Sequence, residues 1–195
     1  MPATLAQPTI LTDPGYLFWA PLLSTLPTNT VVGSVFTDTW PAAWKMLGAT
    51  EDGSEFNYET KLEAIKAAEF FDPLRWVTTD RSGSFAFNLM SYTMANLARA
   101  MNGATVATVS GAGTTLLSKL TPPTPGAEVR AMIGWESLDA TLRIVTYQTI
   151  QGGAIKTAFK KAPSVAVMPC SFNFEAPSSG VPFEMWSAGT TRLGS

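Results

Sequence analysis

The chain has 195 residues, of which 46% are hydrophobic and only 14% charged, with a formal net charge of −2. A charged share so far below the usual ~25% fits either an exterior partly withdrawn from water by self-association or a neutral, loop-rich β-protein. A slightly acidic balance argues against a protein that grips nucleic acid through clustered Lys and Arg, though not against nucleic acid passing nearby.

Side-chain chemistry narrows the classes further. There is no histidine, which removes the commonest general base and metal ligand and any Ser-His-Asp or Cys-His arrangement within one chain. A single cysteine, Cys170, rules out an intrachain disulfide and a multi-cysteine zinc site. Cys170 lies in an apolar run and reads as a buried structural thiol.

The first basic residue is Lys45, so no positively charged region precedes an apolar one, as a secretion signal requires. The longest early apolar run, residues 16–23, is interrupted by Pro21 and falls short of the ~20 residues of a membrane helix. The expectation is a soluble chain made in a cytoplasm, without a membrane span. Residues 16–20 read as a strand and 44–47 as a second. Residues 21–41 read as a long loop with turn residues such as Pro27 and Gly33, the kind of loop that is functional or docks on a partner.

The stretch "SEFNYETKLE", residues 54–63, repeats Glu55, Glu59 and Glu63 every four residues. That spacing suits a helix face and a strand face alike. Ala64, Ala67 and Ala68 favour a helix through "KLEAIKAAEFF", whereas Phe56, Tyr58 and Thr60 favour a strand; on the residues alone both readings over 54–69 stay open. Nearby Glu51 and Asp52 read as a solvated turn rather than an acid–base pair.

"SGSFAFNL", residues 82–89, alternates cleanly, with Phe85, Phe87 and Leu89 on one face. Residues 91–102 form the one expected helix: Met90, Met94, Leu97, Ala98 and Met101 follow helical spacing, with Ser91 as N-cap and Gly103 at C′. Its stripe, Met90, Met94, Leu97 and Met101, is assigned to packing against a sheet. Further strands are expected at 105–109, 127–135, 141–150, 165–175 and 183–186. Leu142 and Ile144 share one face of their strand and Arg143, Val145 and Tyr147 the other. Pro169 marks an edge or a bulge. "SGAGTT", residues 110–115, lacks the Lys of a phosphate loop; with "TPPTPG" after it, residues 110–126 read as a flexible loop.

Charge is unevenly spread. Eight of the fifteen acids fall between Glu51 and Asp80, while residues 140–195 hold five basic residues, Arg143, Lys156, Lys160, Lys161 and Arg192, against Glu175 and Glu184. A surface negative in one place and positive in another can stack head to tail on copies of itself.

Three long stretches, "LGATEDGSEFNYET" (47–60), "AAEFFDPLRWVTTDRSGSFAFNL" (67–89) and "PCSFNFEAPSSGVPFEMWSAG" (169–189), resemble the major tail tube proteins of long-tailed, non-contractile bacteriophages, nearest to those infecting actinobacteria. The resemblance runs from about Leu47 onward. It implies a mainly β fold, a β-sandwich or barrel-like core with one flanking α-helix, as a single domain over 1–195 in which 1–45 form an N-terminal arm and loop region. It implies homo-hexameric rings stacked into a hollow tube, each subunit giving strands to a continuous inner barrel. The implied partners are other copies of the chain, a tape-measure protein, and tail terminator and tail tip proteins. Double-stranded DNA passes without specific binding. No catalysis, cofactor or metal is implied, and the implied location is the virion tail, assembled in the host cytoplasm.

Under that resemblance 54–64 becomes a strand paired with 75–89. Phe56, Tyr58, Leu62 and Ala64 then face the core, and Glu55, Asn57, Glu59, Lys61 and Glu63 line the lumen, with Lys61 neutralising part of the acidic row. A different ring-forming virion protein (terminator, decoration or minor capsid) is the nearest alternative. A soluble β-barrel binding a small ligand among its six Trp and eleven Phe is a second.

Overall fold

The computed structural model describes residues 14–110, 116–156, 166–178 and 180–189. Among the described residues the fold is mainly β with one helix. In chain order the strands are β1 (Gly15–Pro21), β2 (Val31–Val32), β3 (Val35–Phe36), β4 (Lys45–Met46), β5 (Thr50–Ile65) and β6 (Arg75–Leu89). The helix α1 (Met94–Ala100) follows, then β7 (Thr105–Ser110), β8 (Leu116–Thr121), β9 (Ala131–Ser137), β10 (Leu142–Gln151), β11 (Met168–Phe174) and β12 (Phe183–Ser187). Eight strands form one sheet in the order β4-β1-β9-β10-β11-β6-β5, with β12 pairing β10; β2–β3 and β7–β8 are separate two-stranded ribbons.

The sheet is apolar on both faces through its middle, which is why β9 and β10 are buried almost throughout. One face packs Leu17, Phe85, Phe87, Leu89, Ile133, Ile144 and Phe172 around a main core. Phe183 of β12 sits edge-on to Phe56 at 4.9 Å and to Tyr58 at 5.1 Å, so the sheet bends until β12 reaches β5. The opposite face packs Phe18, Ala20, Met132 and Val145 against Trp44, with Leu26, Trp40 and Tyr147 beside them. Residues 21–41 therefore do not form a free loop. They cover their own sheet: Trp40 stacks on Phe18 at 4.3 Å and lies so close to Gly134 that a Cβ there would meet its ring at 2.5 Å. Within this segment β2 and β3 join through Gly33 and Ser34, both at positive φ, the conformation of a two-residue turn matched to strand twist.

The helix is shorter than the pattern implied and seats differently. Thr93, not Ser91, is the N-cap; its hydroxyl accepts from the Asn96 N–H at 3.1 Å, while the Ser91 hydroxyl accepts from Ala49 N–H. Asn102 takes the C′ position with φ of 53° and Gly103 follows as C″. Asn102 N–H bonds Arg99 C=O and Gly103 N–H bonds Ala98 C=O, the pairing of a Schellman motif. The expected methionine stripe is corrected: Met94 is 46% exposed, Met90 precedes the helix, and Met90 and Met101 are only half-buried. Leu97 does pack on the main core. The buried residues are Asn96, Ala98 and Ala100. Small side chains bring the helix close to the sheet, and the Asn96 amide donates to Leu47 C=O and Ser91 C=O. Thr93→Ala leaves the Asn96 N–H without its acceptor, and urea unfolding is expected to show a loss of about 1 kcal/mol.

Two further expectations change. Residues 110–126 are not one loop, because β8 pairs β7 over this stretch; a ribbon that buries neither face shows no clean alternation. Residues 111–115, most of the "SGAGTT" segment, lie outside the described residues. Pro169 is on an interior strand, yet β10 pairs β11 only at Phe172, Asn173 and Phe174, so proline sits where β11 has a strand on one side alone.

Candidate assembly surface

The β5–β6 hairpin positions the predicted site residues. Residue by residue Glu55 faces Ala86, Asn57 faces Ser84, Glu59 faces Ser82, Lys61 faces Asp80 and Glu63 faces Val77. The structure thus brings Glu55, Asn57, Glu59, Lys61 and Glu63 together on one exposed face. The helical alternative for 54–69 does not form: the strand runs to Ile65, and Leu74 N–H closes the hairpin on Ile65 C=O at 2.9 Å. Glu51 and Asp52, read as a turn, belong to the same strand at a register shift between Thr50 and Ser54, where Gly53 has φ of 82°. A second shift falls between Lys61 and Leu62, leaving Thr79 unopposed on β6. The bulge lies on β6, so the alternation of β5 is unbroken.

The polar face continues across β11, where Ser171 faces Ala86 and Asn173 faces Ser84. Rows such as Asn57–Ser84–Asn173 are uncharged. Shallow hollows on this face are lined by Asp52, Glu55, Asn88 and Ser171, and by Asn57, Glu59, Ser82 and Asn173. On the ribbon itself four carboxylates, Glu55, Glu59, Glu63 and Asp80, meet two cations, Lys61 and Arg75. Lys61 approaches Asp80 at 3.5 Å with both side chains more than half exposed, a contact worth under about 1 kcal/mol. The face is acidic on balance and built without stored ion-pair strength.

The other face of β5 departs from expectation. Phe56 packs on the main core, but Tyr58 is 38% exposed, Leu62 53% and, across the ribbon, Trp76 60%. The reason is length. β11 reaches β6 only from Ser84 upward, so residues 75–83 have β5 as their single strand neighbour, and beyond Tyr58, which still meets Phe183, the hairpin projects about 20 Å past the body. At its turn Phe70, Phe71 and Leu74 are exposed, Phe71 completely. Among the described residues neither the outer edge of β5 nor the inner edge of β6 over 75–83 has a strand partner.

A second cluster is structural. Arg143 is 1% exposed. It donates to the Glu136 carboxylate, to Asp38 Oδ1 and Oδ2 at 3.0 Å, to Asp38 C=O at 2.7 Å and to Asn29 Oδ1 at 3.2 Å. Its guanidinium lies 4.5 Å over Phe36 and 5.5 Å from the Trp40 ring centroid. Partial burial alone would raise the Asp38 carboxyl, but the hydrogen bond and charge of Arg143 outweigh it and hold the group below its ordinary range. Sequence reasoning counted Arg143 in a basic surface; the structure removes it from that surface. Lys160, Lys161 and Arg192 lie outside the described residues. Burial pushes the Cys170 thiol up to about 12, as suits an inert core cysteine.

No group of three or more His, Cys, Asp or Glu side chains among the described residues could hold a metal ion. None of the described helices is long and apolar enough to cross a membrane. No family model matches the chain, and no curated protein matches it.

Proposed function

We propose that this chain is the structural subunit of a phage tail tube: copies close into rings, hexameric by the resemblance, and the rings stack into a hollow conduit for the genome. One observation carries the reading, the β5–β6 ribbon that outruns its own core with an acidic polar face, an uncovered apolar face and two unpaired edges. A two-stranded ribbon is marginal alone in water, and a long unpaired edge invites pairing with another chain. Closing the sheet across subunits removes the edges. It also turns Glu55, Asn57, Glu59, Lys61 and Glu63 toward one shared lumen. A wall with more carboxylates than cations repels phosphate, so duplex DNA slides instead of sticking. A tape-measure protein would occupy the lumen during assembly, and terminator and tip proteins would cap its ends. The role requires no catalytic group.

Negative-stain imaging of the purified protein at high concentration tests this. Hollow tubes of repeating rings are expected. Isolated rings would point to a terminator or decoration protein, and persistent monomers would reject assembly by this chain alone.

A further inference from the structure

The apolar surface of the hairpin has a counterpart on the same chain. Tyr58, Leu62 and Trp76 on the ribbon and Phe70, Phe71 and Leu74 at its turn are 38–108% exposed. Together they expose on the order of 800 Å² of mainly apolar residue surface, comparable with the ~800 Å² that one side of a stable interface buries. Isolated exposed apolar residues need no explanation, but a patch of this size on one projection does. The second patch surrounds α1. Met94 on the helix is 46% exposed, Val106 on β7 45%, Leu117 on β8 51% and Val129 47%. Val129 is tied to the helix end by its N–H to Asn102 C=O at 2.8 Å.

The two patches sit at opposite ends of β6. From Trp76 to Leu89 the strand advances about 40 Å, and α1 begins five residues later. A rigid paired strand cannot fold back over that distance, so the chain cannot cover its own patches with each other. A second copy displaced along the strand direction by about one ribbon length can cover both. Charge agrees: between the two hairpin strands Glu69 and Asp72 outnumber Lys66, and Lys119 stands exposed on β8. A contact between two different patches is heterologous, and repeated without rotation it extends without end.

We infer that the hairpin turn of one copy docks on the α1–β7–β8 end of the next, and that this contact, rather than edge pairing, sets the axial repeat of the assembly. The inference rests on the self-assembly reading and names the surface through which successive rings meet.

Phe71→Cys and Met94→Cys proteins, mixed and treated with a short bismaleimide, test it. Cys170 is buried in both and stays unreactive. Crosslinked heterodimers, at least tenfold above those from either protein alone, are expected. Phe70→Ser/Phe71→Ser should retain the circular dichroism of the parent and lose multimers above the single ring in sedimentation. Parent tubes that form while the mixture gives no 71–94 crosslink, or only 71–71 crosslinks, would overturn this contact and leave the tube reading standing. The 71–94 crosslink in a protein that never forms tubes would leave the contact standing and remove the tube.

Discussion

Arg143→Met is expected to lower stability by about 3–5 kcal/mol, because it strips the cation from two carboxylates that stay largely buried. Asp38 and Glu136 are only 13% and 14% exposed at their side chains. Without Arg143, Asp38 keeps its burial and the N–H groups of Asn29 and Thr30 but loses its charge partner. The damage reaches beyond the ion pairs. Trp40 donates to Glu136 at 2.8 Å and covers Phe18, so the second core loosens with the segment that closes it. Urea midpoints give the loss directly. Arg143→Lys should recover little, since a single ammonium cannot reach two carboxylates and a carbonyl in fixed directions. The triple replacement Arg143→Met/Asp38→Asn/Glu136→Gln should recover part of the loss by removing the uncompensated charges.

The acid response follows with a definite sign. Asp38 titrates below its ordinary value in the folded protein, so its contribution is full above the unfolded value near 3.8 and is lost as pH falls through the depressed folded one. The parent should therefore lose stability in that window, and Arg143→Met should lose less there because the cause of the depression is gone. An identical acid slope in both proteins would contradict the assignment.

Legibility in the sequence tracked local chemistry. The upper half of β6, residues 82–89, followed from alternation around Phe85 and Phe87, whereas its start at Arg75 came only with the resemblance; the facing sets on β10 were readable because one-residue parity is all a strand needs. The helix was readable in existence but not in seating. Spacing marks a stripe of large residues, while the contact is made by Asn96, Ala98 and Ala100, whose smallness admits the sheet. The covering role of residues 21–41 was hidden because Trp40, Phe36 and Asp38 find their partners about a hundred residues away, on β10 and β9. Arg143 was misread for the same reason: a charged residue in an alternating strand reads as solvent-facing until Asp38 and Glu136 are brought beside it. The parity of the polar row from Glu55 to Glu63 follows once a strand is granted, but the residues alone left helix and strand open over 54–69, and the resemblance tipped the choice. The exposure of Leu62 and Trp76 was not, because nothing in the residues states where the body ends and the projection begins.

The acidic row has a consequence larger than any stability change. Glu55→Lys/Glu59→Lys/Glu63→Lys should convert assembled tubes from particles indifferent to duplex DNA into particles that retain it. All three side chains are exposed and none makes a hydrogen bond that the fold depends on, so each replacement should shift folding by no more than about 0.5 kcal/mol. Each reversal moves the wall by two charges, six per subunit, and turns four acids against two cations into one acid against five. A wall that meets several phosphates at once releases their counterions, and retention should then fall about 10³-fold or more between 50 and 200 mM salt. Gel-shift or filter retention on purified tubes measures this, with Glu55→Gln/Glu59→Gln/Glu63→Gln as the companion. The glutamine variant removes repulsion without adding phosphate ligands, so it should hold DNA only weakly and with a shallow salt slope. Lysine tubes that release DNA as readily as the parent would mean that the polar face of β5 does not look onto the channel. Retention with the DNA seen bound along the tube exterior would instead move that face to the outside.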